Sequence, residues 1–362
     1  MWATILHLFL GNAIIGLIEG LLLGQIFKCS KWKSVLLLIA ANYASAWAGA
    51  FLIGNSLASL PDLTIQTIQI WLLIFIIAMF VVTLLVEFPF FWFALQSKNQ
   101  SLRKAFVATP LIHGISYTLL LGWYLMASGT SMMSKLKVVS AAEMTHAESY
   151  ALYFISREGN RILQMDLNEP DSTQEISEIV AHHRNDRLFV RARSGSGFDL
   201  FIHLHSTHPE PNKEKLILED FSDRAAVEWR IAEGKSEESV GTWISYGPVP
   251  SIASQTDWEF RTGFWASGGI SGENTKTGAR VQYSLELPFA AWAVRNAIHL
   301  ENDYLVAQLG DDQICLLHPD SGRIALVARG KGPIVATKRS ANKPTYLDPA
   351  LSATESSGPD KK

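Results

Sequence analysis

The chain has 362 residues, of which 48% are apolar and 18% charged, and 31 Lys and Arg against 34 Asp and Glu leave a net charge of −3. That balance lacks the basic footprint a nucleic-acid partner requires, and none is expected. The averages also conceal two unlike halves. Every Lys and Arg in the first 134 residues falls in one of two short loops, with Lys28, Lys31 and Lys33 in one and Lys98, Arg103 and Lys104 in the other.

Between those loops lie four predicted transmembrane helices, about residues 2–27, 34–54, 68–92 and 105–127. Each is about 20 residues or longer without a Lys or Arg, enough to cross roughly 30 Å of hydrocarbon. Backbone amides in lipid must be satisfied within the segment, so these are helices. Trp2, Trp32, Trp71, Trp92 and Trp123 lie near their ends, where amphipathic rings favour the headgroup region. The two Lys-rich loops are expected in the cytoplasm, and the loop Asn55–Thr67, whose only charge is Asp62, outside. With four spans, both termini then lie outside. Lys135 and Lys137 run against this assignment and are outnumbered. The first span has no basic segment before it and no small-residue cleavage site after it, so it is expected to be retained. The expected location is a bacterial inner membrane, crossed by residues 1–134.

Each span carries one strongly polar residue: Glu19, Asn42, Glu87 and His113. At about 1.5 Å of rise per residue, these lie roughly 7, 3, 10 and 5 Å to the cytoplasmic side of their span centres. Neighbouring spans run in opposite directions, so this agreement in depth is not built into the spacing. Helix faces agree as well. Asn12, Gly16, Glu19, Gly20 and Gly24 form one stripe, and Gly16, Gly20 and Gly24 allow close helix packing. Asn42, Ser45, Ala46 and Gly49 share a face in span 2, Thr83 and Glu87 in span 3, and Thr109, His113 and Ser116 in span 4. Pro89 and Pro110 would free carbonyls nearby. An intramembrane carboxylate is costly unless paired, neutral or hydrated. The layer therefore reads as interhelical glue, or as an ion, proton or metal site; Glu87 is also near enough to the interface to snorkel. Glu and His together suit a divalent metal.

Residues 135–336 read as an all-β extracytoplasmic domain and 337–362 as a disordered tail. Short β-prone runs flank Gly-containing turns at 151–156 and 161–167, 187–193 and 198–205, and 304–309 and 313–317, with 323–328 following. Further strands are expected at 215–218, 226–230, 241–246, 258–265 and 280–287. No amphipathic helix separates them, which leaves a propeller, sandwich or barrel. Cys29 and Cys315 fall on opposite sides of the predicted membrane and cannot pair, so the domain relies on its core.

The string from Tyr304 to Val327, with Gly310-Asp311 in one turn and Ser321-Gly322 in the next, resembles one blade of a YVTN- or PQQ-like bacterial β-propeller. Residues 150–167 are a weaker copy. The resemblance implies a propeller-like fold of four or five blades of about 40–50 residues, and no activity. The stretch 233–263 fits no repeat.

Signatures of soluble catalysis are absent from the sequence. Gly269-Ile270-Ser271-Gly272-Glu273 lacks the last glycine of a nucleophile elbow, and Arg329-Gly330-Lys331-Gly332 is no phosphate loop. His203 and His205 share a strand face by the period of two, opposite Leu200, Ile202 and Leu204, and His208 lies just beyond. These three histidines are candidate metal ligands, and the competing reading is a solvated strand face. No cofactor is required by the sequence. The expected function is binding or scaffolding: the bundle, in contact with lipid, anchors a propeller-like domain that meets a protein partner. The alternative is a membrane-embedded ion or proton conductor, or a metal-binding protein, using Glu19, Asn42, Glu87 and His113. Four helices are few for transport, which would require a homo-oligomer or a partner.

Overall fold

Four long apolar helices and an array of antiparallel strands make up the computed structural model, which describes residues 5–56, 62–127, 129–144, 146, 148–194, 196–205, 213–227, 246–287 and 289–337. The chain divides into two units, Met1–Thr130 with Leu285–Ala291, and Ser131–Ser284 with Trp292–Lys362.

In the helical unit a π-helical turn, His7–Gly11, leads into α1 (Asn12–Ile26). It is followed by α2 (Lys31–Ser56), α3 (Ile68–Leu95) and α4 (Ser101–Ala127). All four helices are long and apolar enough to cross a membrane, matching the predicted spans. Their outer faces are apolar: Leu36, Leu85 and Phe106 are 68%, 71% and 74% exposed, as suits side chains meeting lipid. Pro89 and Pro110 lie inside α3 and α4 without ending either helix.

The interior of this unit is layered along the helices. Near the two Lys-rich loops Leu23, Leu38, Phe91, Leu95, Ala108 and Ile112 form a fully buried apolar cluster. Next comes the polar layer, and beyond it the helices separate around a cavity. Glycines set the first contact. A Cβ at Gly20 would stand 2.4 Å from the Val35 Cα, and one at Gly16 2.5 Å from the Ile39 Cα, so α1 and α2 touch backbone to backbone. At Gly24 the nearest atom is the Lys31 Cγ, at 2.8 Å, which a flexible side chain can withdraw.

The other unit begins with a short helix, α5 (Ser131–Lys135), and continues in strands. The first are β1 (Lys137–Val138), β2 (Tyr150–Ser156), β3 (Arg161–Asp166) and β4 (Glu169–Glu178). A three-stranded sheet of β5 (Arg187–Ala192), β6 (Phe198–Leu204) and β7 (Lys213–Ser222) comes next. A four-stranded meander follows, of β8 (Gly247–Pro248), β9 (Trp258–Thr262), β10 (Ile270–Asn274) and β11 (Arg280–Tyr283). The hairpin β12 (Leu285–Leu287) and β13 (Ala290–Trp292) precedes β14 (Val294–His299), β15 (Leu305–Leu309), β16 (Gln313–His318) and β17 (Arg323–Thr337). β17 lies inside an eight-stranded sheet of order β14-β15-β16-β17-β2-β3-β4, with β1 paired to β17 as well. Its first half pairs with β16 and its second with β2, so the last strand completes the sheet that the early strands begin. Its neighbour β2 is buried along its whole length, as its nearly unbroken apolar sequence requires. Among the described residues the strands close into no barrel or propeller ring.

Several strands depart from the sequence reading. β4 is the polar run Glu-Pro-Asp-Ser-Thr-Gln-Glu-Ile-Ser-Glu, mostly exposed, and carries no apolar alternation to reveal it. β10 hides its inward face behind a glycine, because a Cβ at Gly272 would stand 2.4 Å from the Phe260 ring. The expected strand 280–287 breaks at Ser284, whose backbone bonds instead to Ser131 and Met132. The hairpin that follows groups with the helices, whereas the sequence reading kept it in the β domain. Ala226 and Val227 are not in a strand, and 228–230, 241–245 and the predicted tail after 337 lie outside the described residues. Cys29 and Cys315 are both free.

Candidate metal centre

The inward face of α1 is Asn12, Gly16, Glu19, Gly20, Leu23 and Gly24, spaced at three and four residues. Its close seam with α2 places Asn42 beside Glu19, and the Asn42 Nδ2 donates to the Glu19 Oε2 at 2.7 Å. One turn further along α2, the Ser45 hydroxyl donates to the Glu87 Oε1 at 2.5 Å. His113 of α4 stands between the two carboxylates. Its Nδ1 is 3.0 Å from the Glu19 Oε1, and its Nε2 is 3.5 Å from the Glu87 Oε2. Phe91 packs edge-on to the imidazole at 5.3 Å. The four predicted polar residues therefore meet, and Glu87, at 0% exposure, turns into the bundle and not toward the headgroups.

Two atoms of this cluster have no hydrogen-bond partner, the His113 Nε2 and the Glu87 Oε2. When the Nδ1–H donates to Glu19, the Nε2 lone pair faces a carboxylate oxygen, and two buried acceptors confront each other. A buried polar group left in this way is costly, and a cation between the two satisfies both. Glu19, Glu87 and His113 can each direct one ligand atom so that all lie within 4.8 Å of one another. Two ligands about 2.1 Å from a tetrahedral ion stand about 3.4 Å apart, close to the 3.5 Å between Nε2 and Oε2. Asn42 and Ser45 hydrogen-bond to the two carboxylates, as outer partners of metal ligands do.

On the far side of this layer from the packed apolar cluster, the helices enclose a cavity of about 500 Å³. Glu19, Glu87 and His113 form its floor, while Leu72, Phe75, Ile76, Met79, Leu121 and Phe289 contribute to its walls. Phe289, from the hairpin, stacks on Phe75 at 4.3 Å. Thr83 and Tyr117 hydrogen-bond each other at 2.8 Å in the wall above Glu87. The sequence reading missed Tyr117 and Phe91. Tyr117 is one helical turn from His113 and so shares its face, but an aromatic residue in an apolar helix carries no signal of its own.

Among the described residues, the histidines of the β unit form no comparable group. His203 is buried, not on a solvated face, with Glu214 3.9 Å from its Nδ1. Burial, then the charge of Arg187, pushes its pKa down. His205 stacks on His183 at 4.2 Å. Neither joins a three-residue ligand group among the described residues, and His208 lies outside them.

A scan against models of known protein families finds no match to this chain, and a search of curated proteins finds none either.

Proposed function

We propose that this chain is an integral membrane protein that binds a divalent transition-metal ion inside its four-helix unit, with Glu19, Glu87 and His113 as ligands. One observation carries the reading: a buried imidazole nitrogen and a buried carboxylate oxygen face each other without a hydrogen-bond partner, beside a second carboxylate. Two carboxylates and an imidazole suit zinc, iron(II) or manganese. The asymmetry of Lys and Arg supports a bilayer crossing with residues 28–33 and 98–104 in the cytoplasm and both termini outside, and the inner membrane of a bacterium as its place. The test is elemental analysis of the full-length protein, purified in detergent and dialysed after exposure to zinc. About one zinc per chain is expected, lost in Glu87→Gln and in His113→Ala. A wild-type protein that retains no zinc, iron or manganese would leave a proton as the only cation of the cluster and reject the proposal.

For the β unit, binding of a protein partner is the second reading. It is supported by the exposed rings of Tyr246, Phe264 and Trp265, which pack on one another at 5.5 and 4.9 Å. A propeller-like arrangement of this unit is supported by its up-and-down meanders and by a last strand that pairs with the early strand β2.

A further inference from the structure

The cavity above the polar layer is larger than a metal ion needs, and its chemistry is specific. From Tyr124 to His113 on α4, and from Leu8 in the π-helical turn to Glu19 on α1, the walls run eleven residues, about 16 Å at 1.5 Å per residue. That is about half of a 30 Å hydrocarbon layer. A passage for hydrated ions would be lined by polar groups. Here Leu, Ile, Phe and Met are the largest group in the walls, and the hydroxyls of Thr83 and Tyr117 bond to each other. The side chains of Asn12, Ser116 and Thr118, which also line the cavity, donate to backbone carbonyls three or four residues back. A second apolar cavity, of about 320 Å³, lies along the seam of α1 and α4. Ile15, Ser116 and Leu120 line both cavities. Beyond them the seam is bordered by Leu10, Ile14, Leu119 and Trp123, which are exposed on the outer face of the bundle. The chamber therefore has an apolar flank toward the lipid side and a polar floor.

We infer that the chamber binds an uncharged single-chain amphiphile, its chain lying along the apolar walls and its oxygen-bearing head, an alcohol or a carbonyl, supplying a further ligand to the metal on the floor. This inference rests on the metal reading above. Three protein ligands leave a coordination position open, and the open side of the cluster is the chamber. Two carboxylates balance a divalent ion, so a neutral head is accommodated while an anionic one is repelled. An apolar chain replaces no hydrogen bonds on entry, and the seam of α1 and α4 is where it comes in from the bilayer.

The probe is a hexadecanol carrying a diazirine in its chain, photolysed with zinc-loaded, full-length protein in detergent. Label is expected on Ile76, Met79 and Leu120, competed away by unlabelled hexadecanol. Ala46→Phe fills the chamber directly. Gly49→Leu does so too, because a Cβ there meets the Met79 Cε at 2.2 Å, so both the new side chain and the displaced Met79 take up space at the chamber wall. Each variant should reduce chamber labelling by about tenfold, the equivalent of about 1.4 kcal/mol, with zinc content at the wild-type level. Zinc-bearing protein labelled only on outward residues such as Leu36 and Leu85, or labelled equally in wild type and both variants, overturns the amphiphile and leaves the metal reading intact. Protein that holds no zinc overturns both.

Discussion

His113 and His203 are both buried histidines with a ring nitrogen that lacks a hydrogen-bond partner, and they differ in the charges around them. His113 stands between two carboxylates, each held by a neighbour on α2. His203 faces Glu214 across 3.9 Å, and burial followed by the charge of Arg187 holds it toward its neutral form. A dication near His113 meets compensating charge, whereas near His203 the facing carboxylate of Glu214 is already ion-paired with Arg191 at 2.7 Å and Arg187 adds a guanidinium. Burial and an unused lone pair are therefore not enough to make a metal ligand. The sign of the surrounding charge decides, and in a low-dielectric interior it decides strongly.

The largest expected effect tests that contrast directly. Replacing His113 or Glu87 should abolish zinc binding, and His203→Ala should leave it unchanged; the opposite pattern in elemental analysis breaks the comparison. Next comes the frame that brings Glu19 to Asn42. Gly20→Ala forces a Cβ against the backbone of Val35 and should destabilise the helical unit by about 1–3 kcal/mol, in the range for overpacking. Gly24→Ala, opposed by the flexible Lys31 side chain, should cost clearly less in the same thermal-melt assay. Equal effects would mean that the α1–α2 seam is not set by backbone contact.

Coupling within the layer is smaller. Glu19→Gln combined with His113→Gln should cost less than the sum of the single changes, by about 0.5–3 kcal/mol, because groups in contact depart from additivity. Strict additivity would separate the two residues. The smallest effect belongs to the β unit and to pH. A histidine whose folded pKa lies below its ordinary value contributes stability when neutral, and loses it as pH falls below 6.5. His203→Leu should flatten that part of the acid-unfolding curve, followed by the β-sheet circular dichroism of the full chain. At lower pH Glu301 takes over. Burial pushes its carboxyl up, but hydrogen bonds from Ser254 and Arg224 outweigh this and bring it down to about 2. Its stabilisation is present above its ordinary 4.5 and disappears as pH falls toward 2. Arg224→Ala should weaken that lower step and leave the histidine step, below 6.5, in place.

Much of the helical unit was legible because a membrane imposes simple rules. Length, apolarity and the absence of Lys and Arg locate the spans, and the helical period places Glu19 on the face of Gly16 and Gly20. Depth along each helix then brings Glu19, Asn42, Glu87 and His113 to one level. The β unit was less legible where its strands lack a periodic apolar face. Polar β4 and glycine-bearing β10 carry no such face, and 280–287 reads as one strand only until Ser284 bonds to Ser131 and Met132.

From the sequence alone came the four spans, the polar residue in each, their shared depth, and a β-rich remainder. Those properties are local, since they depend on residues a few positions apart and on the solvent each segment must face. Only the tertiary structure decided which groups meet: His113 with Glu19 across 94 positions, Ser45 with Glu87 across 42, and β17 with both β16 and β2. It alone revealed the chamber above the layer and the hairpin that contributes Phe289 to its wall. Contacts between distant segments follow from how whole faces pack, and a cavity is the space that packing leaves unfilled, so neither has a signature in the spacing of residues along one helix or strand.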